Sequence, residues 1–156
     1  MNLIKIDMAS DKNLIREYTN MYLELINLHY ETAATYGIYD AECDKKTKED
    51  AINKLLNPEI MIELLFDQAK VIGFVRYQID HTETEHMVVN DGSIGIHIDQ
   101  LYIKDAWRKM GYGTYILQSL KQKYKKISLD CYYTLDANMF YKKKGFKPVI
   151  TTYLWD

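Results

Sequence analysis

The amino-acid sequence predicts an α+β domain, a mixed and mostly antiparallel sheet flanked by helices, and three observations carry that expectation. Alternating strand-like segments and segments of helical periodicity follow one another in the order β-α-α-β-β-β-α-β-α-β-β. Residues 60–66 and 71–79 are apolar, strand-length runs parted only by Asp67-Gln68-Ala69-Lys70, a separation that makes a hairpin and therefore antiparallel pairing. A helical stretch lies between the strand ending near Ile103 and the strand around Leu129, so that junction needs a crossover and pairs in parallel. Antiparallel pairing with one parallel junction is the α+β pattern.

Each element has its own signal. Residues 3–8 alternate Leu3/Lys5 with Ile4/Ile6/Met8 and form the first strand, after which Ser10-Asp11 offers an N-cap. Leu14, Tyr18, Met21, Leu25 and Leu28 recur at helical spacing and predict a long helix towards Tyr36, ended by Gly37. Thr47-x-x-Asp50 resembles a capping box opening a shorter helix with Ala51, Ile52, Leu55 and Leu56, stopped by Asn57-Pro58. The hairpin follows, then a polar stretch over 80–93 with an Asn90-Asp91-Gly92 turn. Residues 94–103 are β-branched and aromatic with alternation, a strand. Ile116, Leu117, Leu120 and Tyr124 mark an amphipathic helix over 114–124. Residues 127–132 form a strand, Asp136 caps a short helix bearing Ala137, Phe140 and Tyr141 that closes at Gly145, and two final strands cover 146–150 and 151–155.

At 156 residues, with no linker, repeat or low-complexity segment, the chain reads as a single domain over 1–156. A net charge of −2 without a basic face argues against nucleic acid as partner. Cys43 and Cys131 form no C-x-x-C pair, and His29, His81 and His86 lack ligand spacing, so no metal is assigned. No apolar run approaches the ~20 residues of a membrane span. The start lacks the basic and apolar regions of a signal peptide, so a cytoplasmic location is expected. Fourteen tyrosines stand against four phenylalanines, most of them explained by amphipathic core packing.

The segment between the strand over 94–103 and the following helix carries the chemistry. Arg108-Lys109-Met110-Gly111-Tyr112-Gly113-Thr114 places two glycines where a helix opens, and freed backbone N–H groups with the helix dipole favour an anion there. Gly111 and Gly113 keep Cβ atoms out of a phosphate's way, and Arg108 adds a cationic donor. The P-loop pattern is absent, and Ile116 stands where the dinucleotide pattern needs its third glycine. The remaining pattern, Arg-x-x-Gly-x-Gly after a strand, resembles the pyrophosphate loop of the GNAT superfamily of acyl-CoA-dependent N-acetyltransferases. Ala137-x-x-x-Tyr141-x-x-x-Gly145-Phe146 resembles that family's closing motif, and the element order is similar over the whole chain. Thr134, seven residues before Tyr141, departs from the asparagine often found there, and a hydroxyl makes fewer bonds than a carboxamide.

The resemblance implies acetyl-CoA as co-substrate, with its pyrophosphate on residues 108–114 and its pantetheine against the backbone of Leu101, Tyr102 and Ile103 as an added strand. It implies Tyr141 as the general acid that protonates the departing thiolate; the alternative is a tyrosine that only packs with Phe140. Asp99, nine residues before Arg108, is the candidate base, with a purely structural carboxylate weighed equally. By alternation His97 and Leu101 share its strand face, so His97 is a second candidate base, against a strand histidine satisfied by a backbone carbonyl. The Lys142-Lys143-Lys144 run either meets the 3′-phosphate of CoA or is a solvated helix face.

In the family the acceptor groove comes from the first helices, their connection and the hairpin turns, here residues 29–46 and 80–93. Tyr30, Tyr36 and Tyr39 with Glu31, Asp40 and Glu42 would give an aromatic, acidic mouth for a cationic amine of a small molecule or peptide. Ile98-Asp99-Gln100 before the loop also resembles aminoglycoside 6′-N-acetyltransferases. The competing expectation is a catalytically weak acyl-CoA sensor or interaction module, and a third is transfer of a longer acyl group. Many relatives pair, and an exposed last strand over 151–155 would suit a homodimer.

Overall fold

A computed structural model describes residues 1–34, 44–80, 95–131 and 136–148. Its five-stranded sheet has the order β1-β2-β3-β4-β5, formed by β1 (Asn2–Ile6), β2 (Ile60–Asp67), β3 (Lys70–Asp80), β4 (Gly95–Ile103) and β5 (Lys126–Leu129). Neighbours pair antiparallel except β4 with β5, which pair in parallel from Gly95↔Lys126 to Ile98↔Leu129. The predicted mixed sheet and its single parallel junction are thus present.

Helices cover both faces. On one lie α1 (Lys12–Ala34) and α2 (Asp44–Leu56), whose Tyr18, Met21, Tyr22, Leu25, Ala51 and Leu55 pack on Ile62, Leu64, Phe74 and Tyr102. On the other lies α3 (Tyr112–Lys123), whose Ile116, Leu117 and Leu120 pack on Leu65, Ile72, Val75, Ile96 and Ile98. The last described helix, α4 (Asp136–Lys143), brings Phe140 and Tyr141 to the α3 face. β2 and β3 are apolar on consecutive positions because both of their faces are covered.

The ends of several elements differ from expectation. β1 stops at Ile6, because Asp7 and Ser10 hydrogen-bond each other in a turn, with Asp7 N–H donating to Ser10 Oγ at 2.9 Å. Asp11 then caps α1, accepting from the Asn13 N–H at 2.7 Å. The capping box assigned to Thr47 and Asp50 lies inside α2, which already begins at Asp44. Thr47 is buried, and Asp50 accepts the Tyr22 hydroxyl proton from α1. Residues 146–148 do not start a strand, since the Phe146 N–H returns to the Tyr141 carbonyl at 3.1 Å and is lost to any ladder. The expected end of α1 at Tyr36 and Gly37, Cys43, the turn over 90–92, Thr134 and the strand over 151–155 lie outside the described residues. No helix among the described residues is long and apolar enough to cross a membrane.

Candidate functional site

The chain leaves β4 through a single 3₁₀ turn, Asp105–Trp107, and enters α3 through residues 108–111. Lys109 and Gly111 both take positive φ, 63° and 91°. Gly111 occupies the N-cap without a side chain to accept a hydrogen bond, and no acidic residue stands in the first turn. The leading N–H groups of Tyr112, Gly113 and Thr114 are therefore left to an outside acceptor. The two glycines do different work. Gly111 supplies the left-handed backbone with open space around it, whereas a Cβ on Gly113 would sit 3.2 Å from the Phe140 ring, so Gly113 admits α4 against α3.

Arg108 is more occupied than an anion donor alone would be. Its Nε donates to the Ile103 carbonyl at 2.9 Å, Nη1 pairs with Asp105 at 2.9 Å, and the guanidinium lies over the Tyr102 ring. It stitches the loop to the end of β4. Tyr112 is tied down likewise, its hydroxyl donating to Asp67 at 2.8 Å and its ring edge-on to Trp107. Lys109 and Met110 stand exposed at the loop tip.

β4 continues for five residues, 99–103, beyond its last pair with β5. Lys104 N–H bonds Ile72 on the β3 side at 2.9 Å. Strand alternation then turns the amide groups of Leu101 and Ile103 to the opposite edge, which no described strand pairs there, and that of Tyr102 back to β3. Arg108 takes the Ile103 carbonyl, which leaves both groups of Leu101 and the Ile103 N–H along the opening. The Tyr102 side chain lies among the α1 core, its hydroxyl donating to Glu24 at 2.6 Å and its pKa pushed up to about 12 by burial and that carboxylate.

Tyr141 sits on the α3 face with its ring 5.2 Å from Phe140 and 5.6 Å from Phe146. Burial first, and the nearby Cys131 thiol second, hold its phenol well above the ordinary tyrosine range, so it keeps its proton. Cys131 itself is half-buried, its thiol pushed up by desolvation.

Asp99 lies on the other face. The β3–β4 register passes from Arg76↔Gln100 to Tyr77↔Ile98, leaving Asp99 as the extra residue of a bulge. That bulge breaks the alternation on which the shared face of His97, Asp99 and Leu101 rested. Leu101 packs towards α3, while the Asp99 carboxylate reaches Arg76 at 3.5 Å on the α1 face. Sequence reasoning missed Arg76. It is buried, lies 5.2 Å over the Tyr22 ring, and through Tyr22 connects to Asp50 of α2. An arginine inside an otherwise apolar strand was the available signal, since a buried charge needs a partner.

His97 shares the α1 face with Asp99 and stands beside the point where β4 and β5 part. Its Nδ1 meets Ser128 Oγ at 2.9 Å, and its Nε2 is 3.8 Å from the exposed Asp130 carboxylate. Ser128 carried no sequence signal. The lysine run at the end of α4 makes local contacts, with Lys144 over the Phe140 ring and its carbonyl accepting from Lys121 at 3.1 Å. No group of three metal-ligating side chains occurs among the described residues.

Solved structures with this architecture follow it over nearly the whole chain. A mutant of the BH1408 protein from Bacillus halodurans superposes with a TM-score of 0.80 at 15% identity, covering 100% of this chain and 99% of that one. An aminoglycoside N-acetyltransferase bound to the bisubstrate analogue CoA-S-monomethyl-acetylneamine gives 0.69 at 9% identity, covering 99% and 96%. A ribosomal-protein-alanine N-acetyltransferase from Brucella melitensis gives 0.65 at 14% identity, covering 100% and 99%. At such identities the likeness speaks for the fold. The family model described as Acetyltransferase (GNAT) domain matches residues 62–148, more than half of the 156, and the chain belongs to the GNAT acetyltransferase family.

Proposed function

We propose that the whole chain acts as one domain that transfers an acetyl group from acetyl-CoA to a primary amine of a small molecule or peptide. The observation that carries this reading is the edge of β4 over Leu101 and Ile103, unpaired among the described residues, which leads through residues 104–111 to the uncapped N-terminus of α3. An extended amide-bearing arm adds to the edge as a strand would, and its pyrophosphate ends on the N–H groups of residues 112–114. Arg108, Lys109 and Met110 shape that cradle, Arg108 chiefly by fixing the turn.

The thioester then lies in the gap between β4 and β5, with Tyr141 on one face and Asp99 on the other. Amine attack expels the thiolate. Tyr141, kept protonated by burial, gives it a proton and is restored by the proton shed from the new amide nitrogen. Asp99 already faces Arg76, which supports a carboxylate that attracts and orients the ammonium group more than one that takes its proton. An amine-free module that senses acyl-CoA would need the cradle but not Tyr141.

A thiol-release assay with acetyl-CoA and a panel of polyamines, aminoglycosides and lysine- or alanine-terminated peptides tests the reading. Release matched by acetylation of one amine class is expected. Calorimetric binding of acetyl-CoA without release on any amine would replace the transferase reading with the sensor, and no binding would remove both.

A further inference from the structure

Over residues 100–103 β4 pairs with β3, while no described strand pairs its other edge. A strand end with one neighbour has hydrogen bonds on one side only, so side chains must help to fix its direction. Those of Tyr102 and Lys104 reach α1, which packs on the face opposite α3. The Tyr102 hydroxyl donates to Glu24 at 2.6 Å, and Lys104 Nζ donates to Glu17 at 2.7 Å. Glu17 and Glu24 stand seven residues apart, on one side of α1, so the helix grips the strand end at points about 10 Å apart along its axis. Phe74 completes the setting of the Tyr102 ring, with centroids 6.1 Å apart.

We infer that the Tyr102 side chain is a positioning residue for the acetyl-CoA turn, acting through Arg108; the role rests on the reading above, in which that turn seats the pyrophosphate. The Arg108 guanidinium lies 5.4 Å over the Tyr102 ring centroid. Its other contacts, with the Ile103 carbonyl and Asp105, belong to the same short stretch of chain, whereas the ring ties it to the core beneath α1. A phenol that donates to a carboxylate is polarised, which makes its ring face more attractive to a cation. With Tyr102 held by α1, Arg108 by Tyr102 and the turn by Arg108, the N–H groups of residues 112–114 stand at a fixed distance from the Leu101–Ile103 edge. An acyl-CoA arm must span that distance, its pantetheine on the edge and its pyrophosphate on the turn. A misplaced turn is therefore felt by a ligand that carries both parts and hardly by one that ends before the phosphates.

Tyr102→Leu removes the ring and Tyr102→Phe keeps it. Calorimetric titration with acetyl-CoA, well below the Tm of each variant, should show Kd raised about fivefold in Tyr102→Leu and less than about twofold in Tyr102→Phe. In an Arg108→Met background, Tyr102→Leu should change Kd by less than about twofold, because no guanidinium is left for the ring to hold. Glu24→Ala, at an exposed position, loosens the ring without touching the core and should raise Kd about threefold. With the best amine of the panel, Tyr102→Leu should lose at least about threefold more kcat/KM with acetyl-CoA than with S-acetylpantetheine, which lacks the pyrophosphate. Equal losses with the two donors, additive losses in the Arg108→Met background, or an unmoved Kd in both Tyr102→Leu and Glu24→Ala overturn the inference. Wild-type protein that binds acetyl-CoA but transfers to no amine removes the transferase reading and leaves the inference standing on the titrations; protein that binds none removes both.

Discussion

Two Tyr→Phe substitutions should have opposite consequences, and the structure sets their sizes. The Tyr77 hydroxyl donates to buried Glu63 at 2.6 Å, and among the described residues the other partner of that carboxylate is Lys123 at 3.2 Å. Removing the hydroxyl strips a hydrogen bond from a buried anion, a loss of about 1.5–3 kcal/mol. For a domain of this length each kcal/mol lowers Tm by about 2–4 °C, so a fall of roughly 6 °C is expected for Tyr77→Phe. The Tyr141 hydroxyl makes no hydrogen bond among the described residues, and phenylalanine keeps both ring contacts with Phe140 and Phe146. Its stability should therefore move by less than about 0.5 kcal/mol. Activity should follow the reverse order. Tyr141→Phe should cut kcat at least about tenfold, equal to roughly 1.4 kcal/mol of barrier, while Tyr77→Phe assayed well below its Tm stays near wild type. Calorimetric melts and thiol-release rates on the same two preparations give the answer. A Tyr141→Phe protein that melts early and turns over normally would show that the phenol is structural and refute the acid assignment.

The remaining expectations concern the loop and the buried phenols. Arg108→Ala should raise the acetyl-CoA KM and loosen the turn, and Arg108→Lys should not rescue it, because an ammonium cannot bond Ile103 and Asp105 together while lying over Tyr102; steady-state kinetics with both variants check this. Gly111→Ala should cost about 1–2 kcal/mol through its left-handed φ, whereas Gly113→Ala should act through the Phe140 contact at 3.2 Å and be relieved by Phe140→Leu; a double-mutant cycle by urea unfolding tests the coupling. Tyr102 has its pKa raised to about 12 in the folded chain, against about 10 unfolded. Its contribution is thus fully present below about pH 10 and is lost as pH rises towards 12. Tyr102→Phe should flatten the alkaline fall in stability measured by denaturation across that window, and an unchanged slope would contradict the burial argument.

Local pattern alone was enough for much of this protein. Alternation and helical spacing identified the central strand, the long first helix and the α3 face of Ile116, Leu117 and Leu120, because those periods follow from backbone geometry and survive any tertiary arrangement. The glycine-bearing turn after Arg108 was legible for the same reason, since a helix start without a side-chain cap is visible in the residues themselves. Other features depended on partners distant in sequence. The bulge at Asp99 exists only through the register of β4 on β3, and it alone decides that Leu101 and Asp99 face opposite ways. Arg76 acquires its meaning from Tyr22 and Asp99, and His97 its partner in Ser128, 31 positions along the chain. Gly113 also makes room for Phe140, a contact no local pattern revealed. Sequence determines which faces are apolar and where the chain must turn, since those are properties of a segment. Which polar groups meet, and so which can share or move a proton, is decided when the sheet closes its register and buries them together.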